Sequence, residues 1–236
     1  MKALKYSIII LLFSISFLKA QNSPWIIGAD ANYNLPLAGL SDRMEGNFGG
    51  LIYAGKKTTA NWTWVGKFEY FKLTDVNKDQ MFKIVKAEVN DVISDYRFEL
   101  PLLDMEFTAA GLSVEARYNL FNSSFLEADL NFGFGFYYWE YSRTGYKDSL
   151  FIDTTGAGDL LLAEYLNVPP LFQKDWSGGL TIGTDFNLSL FDPLSFNLGI
   201  NYKLIIAELW PALSLNLENV SGFQFLDLRA GFRVKL

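Results

Sequence analysis

The chain reads Leu180-Thr181-Ile182-Gly183-Thr184-Asp185-Phe186-Asn187-Leu188-Ser189-Leu190 and then turns through Phe191-Asp192-Pro193-Leu194. Even positions of the first run are apolar or, at Thr184, tolerably so; odd positions are small or polar. Alternation resumes with Phe196, Leu198, Ile200, Tyr202, Leu204 and Ile206 on one side, against Asn197, Gly199, Asn201 and Lys203 on the other. A period of two over two runs of about 11 residues, joined by a tight turn, predicts a β-hairpin. One face is wholly apolar and the other carries Asp185 and Lys203. Strands of about 9–11 residues with one apolar and one polar face are what a tilted crossing of a bilayer requires.

The pattern recurs along the chain. Strand one runs from Trp25 to Leu37, strand two from Phe48 to Lys56 and strand three from Asn61 to Leu73. Strand four spans Met105 to Leu120 and strand five Phe125 to Tyr141; the hairpin supplies strands six and seven, and strand eight runs from Phe223 to Leu236. Residues 74–103 and 143–175 show no sustained period and read as long loops. Within the first, residues 80–90 suit a short helix, or Phe82 to Val89 extends a hairpin. Within the second, Leu160 to Leu166 is too apolar for a freely solvated loop and is expected to pack over the barrel mouth, form a short helix, or meet a partner or lipid. Tight turns and long connections alternate, as expected when every turn lies on the periplasmic side and every loop outside.

These elements predict an all-β fold: one eight-stranded, antiparallel, up-and-down barrel that spans a membrane. Lipid offers no partner for a backbone N–H or C=O, so an open sheet edge is not viable there and the sheet must close. The polar face then lines a narrow interior. Asp30, Lys67, Glu69, Glu115, Arg117, Glu127, Asp129, Asp185, Lys203, Asp227, Arg229 and Arg233 are expected to point into it. Their mixed signs allow pairing, which makes a stabilising polar core the main expectation and a proton or ion path the alternative. Trp25, Trp62, Trp64, Trp139, Trp176 and Trp210 fall near strand ends, where an interfacial aromatic girdle is expected.

Residues 1–20 carry Lys2 and Lys5, an apolar run from Tyr6 to Leu18, and Lys19-Ala20 before Gln21. This reads as a secretory signal cleaved after Ala20, leaving residues 21–236 as the barrel. Its removal deletes three lysines and no acid, taking the formal charge from −6 to −9. An exported acidic chain is a poor nucleic-acid binder. The chain has no cysteine, hence no disulfide frame and no lipid-anchoring thiol. It has no histidine either, so the usual catalytic base and the usual orienter of a nucleophile are missing. No catalytic residue, metal site or cofactor is expected. Asp91, Asp95, Asp148, Asp153 and Asp159 form no dense oxygen-ligand loop for Ca²⁺. The GxG within Thr155 to Asp159 lacks the strand and helix of a nucleotide fold.

At its end the chain places Arg229, Gly231, Val234 and Leu236 in the spacing of a polar residue, a glycine two on, and two hydrophobics separated by one residue. With the strand pattern, this resembles the small eight-stranded outer-membrane barrels of Gram-negative bacteria, and among them the outer-membrane β-barrel domain group common in Bacteroidota. The terminal residue differs, being Leu where those barrels usually have Phe. The resemblance implies recognition of the last strand by the barrel assembly machinery and location in the outer membrane, in contact with lipid and lipopolysaccharide. The function expected is a non-enzymatic, membrane-anchored structural or interaction protein acting through its outer loops. The alternatives are a narrow route for small apolar molecules or ions, and a small barrel component of a protein secretion system.

Overall fold

A computed structural model describes residues 25–236 apart from 90–91, 101, 155–157 and 216. The expected signal segment, Asp91, and residues 155–157 of the GxG stretch therefore lie outside the described residues. Twelve strands form among the described residues. They are β1 (Trp25–Leu37), β2 (Asn47–Lys57), β3 (Trp62–Leu73), β4 (Phe82–Val89), β5 (Val92–Glu99), β6 (Met105–Asn122), β7 (Leu126–Arg143), β8 (Tyr146–Asp153), β9 (Leu160–Val168), β10 (Leu171–Phe191), β11 (Leu194–Leu209) and β12 (Val220–Lys235). Eight of them close a barrel in the order β1-β2-β3-β6-β7-β10-β11-β12, with β12 pairing back onto β1. All neighbours are antiparallel, so the connectivity is up-and-down. The remaining four strands make two hairpins, β4–β5 and β8–β9, inserted in the connections β3–β6 and β7–β10.

Following the pairs from Ile26 through Gly55, Val65, Glu115, Gly133, Thr181, Lys203 and Phe225 leads back to Pro36, ten residues further along β1. Eight strands with that offset tilt by roughly 40° from the barrel axis. Tight turns at 58–61, 123–125 and 192–193 lie at the end where β1 starts and β12 finishes; the four long connections lie at the other.

Alternation decides which face turns inward. Phe132, Phe134, Ile182 and Phe186 are outside, 40–52% exposed, while Glu115, Asp185 and Lys203 are fully buried inside. A closed sheet with an apolar outer belt and a charged interior suits a hydrocarbon surround, because every strand's backbone is satisfied by its neighbours. The chain is a membrane-spanning barrel of this kind. No helix among the described residues is long and apolar enough to cross a membrane.

The strands outrun the sequence expectation at the loop end. β10 begins at Leu171, not Leu180, and its first residues pair with β7 up to Arg143. Over that stretch Lys174 faces outward, so hydrophobic periodicity fades although the hydrogen-bond ladder continues. Periodicity registers only the lipid-covered part of a strand. Of the two readings of residues 80–90, the hairpin is the one realised: Phe82–Val89 pairs with Val92–Glu99. The run Leu160–Leu166 belongs to β9, with Leu166 buried against the loop-end core and Leu160, Leu161 and Tyr165 exposed.

Candidate functional site

The barrel interior has two storeys. The one nearer the tight turns is ionic. Glu115 on β6 lies between three cations: Arg117 Nε at 2.8 Å, Lys67 Nζ at 3.5 Å and Arg229 Nη2 at 3.6 Å. Arg117 reaches on to Asp185 at 3.2 Å and Arg229 to Asp227 at 3.5 Å. Lys203 joins Asp227 at 3.6 Å and Glu69 at 2.8 Å, and donates to the Asn34 side chain at 3.1 Å. Closest to the turns, Arg233 binds Glu127 and lies 3.6 Å from Asp129. Asp30 accepts a hydrogen bond of 2.8 Å from Asn197. All twelve charged side chains expected in the lumen lie there.

Sequence reasoning missed other members of this storey. Lys235 binds Glu127 at 2.8 Å, and Asn187 and Asn119 donate to the two oxygens of Asp129. The signal was present, since Asn187 and Asn197 fall on the polar parity and Lys235 shares the parity of Arg233. Pairing is set by the curvature of the closed sheet, which brings residues of different strands across the lumen. An eight-stranded barrel is only wide enough for side chains to fill it.

The storey nearer the loops is apolar. Phe71, Phe107, Tyr137, Trp139, Tyr141, Phe223 and Phe225 fill it, all inward-facing and buried. Phe107 makes ring contacts with Phe71, Trp139, Phe223 and Phe225 at centroid distances of 5.2–6.4 Å. Tyr137 is accommodated by glycines: a Cβ on Gly111 or Gly179 would lie 2.4 Å from its ring. The storeys meet where Lys203 Nζ sits 4.7 Å from the centre of the Phe71 ring. A uniformly polar lumen is therefore only half of what forms.

Trp139 does not belong to the outer girdle. It is 3% exposed, and its indole N–H donates to Ser177 Oγ at 2.9 Å inside the barrel. Its odd position on β7 gives it the inward parity of Glu127 and Asp129, and parity outweighs proximity to a strand end. The other five tryptophans are exposed on the outer surface: Trp25, Trp62 and Trp64 near the turn end, Trp176 and Trp210 near the loop end. On β12, Arg229 and Gly231 are buried inward and Val234 is half-buried, as is Leu236 just beyond the strand.

All four long connections close the mouth. Leu40 and Met44, Met81 and Leu100, Leu150 and Leu166, and Leu215 and Leu217 are buried in one cluster with the aromatic storey. Arg43 ties the first connection to the last by donating from Nη2 to the carbonyls of Trp210 at 3.2 Å and Glu218 at 2.6 Å. Asn77 donates to the Ser41 carbonyl at 2.7 Å, and Arg143 to that of Pro169 at 3.0 Å. The two hairpins touch through Lys83 and Glu164 at 3.8 Å. Beyond this lid they expose apolar side chains, among them Val92, Ile93, Leu160 and Tyr165.

No family model matches the sequence, and no curated protein is similar to it by sequence. Among solved structures the chain is similar to Neisserial surface protein A, with 15% identity, a TM-score of 0.49, and 90% of this chain and 97% of that one covered. It is also similar to a major outer membrane protein from Thermus thermophilus, with 11% identity, a TM-score of 0.49, and coverage of 92% and 100%. Outer membrane protein OprG from Pseudomonas aeruginosa gives 12% identity, a TM-score of 0.42, and coverage of 92% and 97%. The likeness is one of fold.

Proposed function

We propose that this chain is a non-conducting, non-enzymatic outer-membrane barrel that anchors an interaction surface at the cell exterior. On this reading it belongs with the outer-membrane β-barrel domain group of Bacteroidota, is exported by its N-terminal signal and is inserted by the barrel assembly machinery. The observation that carries the reading is the interior. An ionic storey and an aromatic storey follow one another along the axis, and the lid of four connections closes over the second. An aqueous route would have to breach all three. What is left free to act is the loop end, where the two hairpins carry exposed apolar side chains beyond the lid. Such side chains on a protruding surface favour a partner, here lipopolysaccharide, a surface polymer or another protein.

Conductance in planar bilayers tests the proposal. The reconstituted barrel is expected to give a flat trace at all applied voltages. Reproducible open steps would replace the scaffold reading with that of a narrow ion route.

A further inference from the structure

Inside the barrel, close to the tight turns, the ionic storey encloses a cavity of about 80 Å³. One side of its wall is a row of cross-strand partners: Lys57 of β2 pairs with Thr63 of β3, and Thr63 with Arg117 of β6. Glu127 and Asp129 of β7, with Arg233 and Lys235 of β12, form the rest of the polar wall. All of these positions share the inward parity of their strands. Space on this scale holds about two or three waters or one small ion. Lys235, whose side chain is 42% exposed, marks the entrance from the turn end.

Charge decides between water and ion. The wall carries four cations against two carboxylates. Even with Arg117 assigned to Glu115 and Asp185, three cations remain for two acids. The carboxylates are already engaged. Asp129 accepts from side-chain amides at both oxygens, from Asn119 at 2.9 Å and Asn187 at 3.1 Å. Glu127 Oε2 takes both Arg233 and Lys235. The donors are not used up. Arg233 is only 2% exposed, yet its Nε makes no hydrogen bond among the described residues. Its Nη1 lies 3.6 Å from Asp129, beyond hydrogen-bond reach. Arg117, 1% exposed, likewise leaves Nη2 without an acceptor among the described residues. Buried donors without acceptors are costly, and so is buried charge in excess of its counter-charge. Water answers the first cost alone; an anion answers both.

We propose that this cavity binds one small monovalent anion of halide size, chloride foremost, held by Lys57, Arg233 and Lys235. The excess of positive side chains disfavours a cation there. Glu127 and Asp129 on the same wall disfavour a dianion, and the volume excludes larger organic acids. The site is independent of the role proposed for the loops, which lie at the opposite end of the barrel.

Chlorine NMR of the full barrel in a non-ionic detergent tests the proposal, with chloride exchanged for gluconate at constant ionic strength. The wild type is expected to broaden the chloride line in a saturable way, and bromide to compete for the same site. Lys57→Gln/Lys235→Gln removes two of the donors. Thr63→Leu fills the cavity and leaves every charge in place. Each is expected to weaken binding about tenfold or more. Heat-modifiable migration in gels shows whether each variant is folded; should one fail, the other decides. Equal broadening by the wild type and a folded variant would put the chloride on the outer surface and overturn the proposal. So would the lack of saturable broadening by the wild type, which leaves water as the occupant, or displacement by sulfate as effective as that by bromide.

Discussion

Glu115 is fully buried and faces Lys67, Arg117 and Arg229 at once. Replacing it by glutamine preserves its shape and leaves three cations short of one counter-charge. Removing one partner of a buried ion pair costs about 3–5 kcal/mol, because the charge left behind stays desolvated. Glu115→Gln should therefore lower the free energy of unfolding of the barrel in vesicles by an amount of that order, read as a lower urea midpoint followed by tryptophan fluorescence. An unchanged midpoint would mean that the network contributes nothing to stability. At this scale alternation told which side chains turn inward, Glu115 among them. It was silent on partners, since Glu115 and Arg229 are 114 positions apart along the chain and meet only when β12 closes on β1. Trp139 shows the opposite error. Its nearness to a strand end suggested the girdle, although the parity already legible in β7 assigned it inside.

The barrel strands and the two hairpins stand on different physics. Each barrel strand is paired on both edges through the belt, whereas β4–β5 and β8–β9 are isolated two-stranded ribbons, which are marginal by themselves. Replacing residues 82–99 by a short Gly/Ser linker removes β4–β5 but keeps Met81, Leu100 and Leu103 in the lid cluster. The truncated protein should still migrate as a folded, heat-modifiable barrel in gels run without boiling. Loss of the folded band would show that the hairpin is part of the barrel's own stability. The same contrast explains what the sequence left open here. Lipid forces a strict apolar-polar period, and every barrel strand but β10 was legible nearly end to end. Above the belt that constraint lapses, so the first nine residues of β10 and both hairpins left no sustained periodic trace.

For the whole molecule, even strand number and the alternation of tight and long connections put both termini and all tight turns on one side of the bilayer and all long connections on the other, and the proposed function needs the latter to be the exterior. The absence of native cysteine makes that orientation directly testable. Val92→Cys, on the exposed face of β5, should react with a membrane-impermeant maleimide on intact cells. Thr59→Cys, in the turn between β2 and β3, should react only after the outer membrane is breached. Equal labelling of both, or the reverse pattern, would overturn the assignment of the long connections to the cell exterior.

The sequence by itself determined the number of barrel strands, their order and which face of each meets lipid. A two-residue period in a hydrocarbon surround admits one inside and one outside, and an unpaired edge there is too costly to persist. Tertiary structure decided the rest. Closing the sheet set which charges meet across the lumen, and it stacked an aromatic storey on an ionic one from inward residues of distant strands. A two-for-one mismatch set Ile206 and Ala207 of β11 opposite the single residue Gly222 of β12, an event of register between strands that no single strand's pattern records.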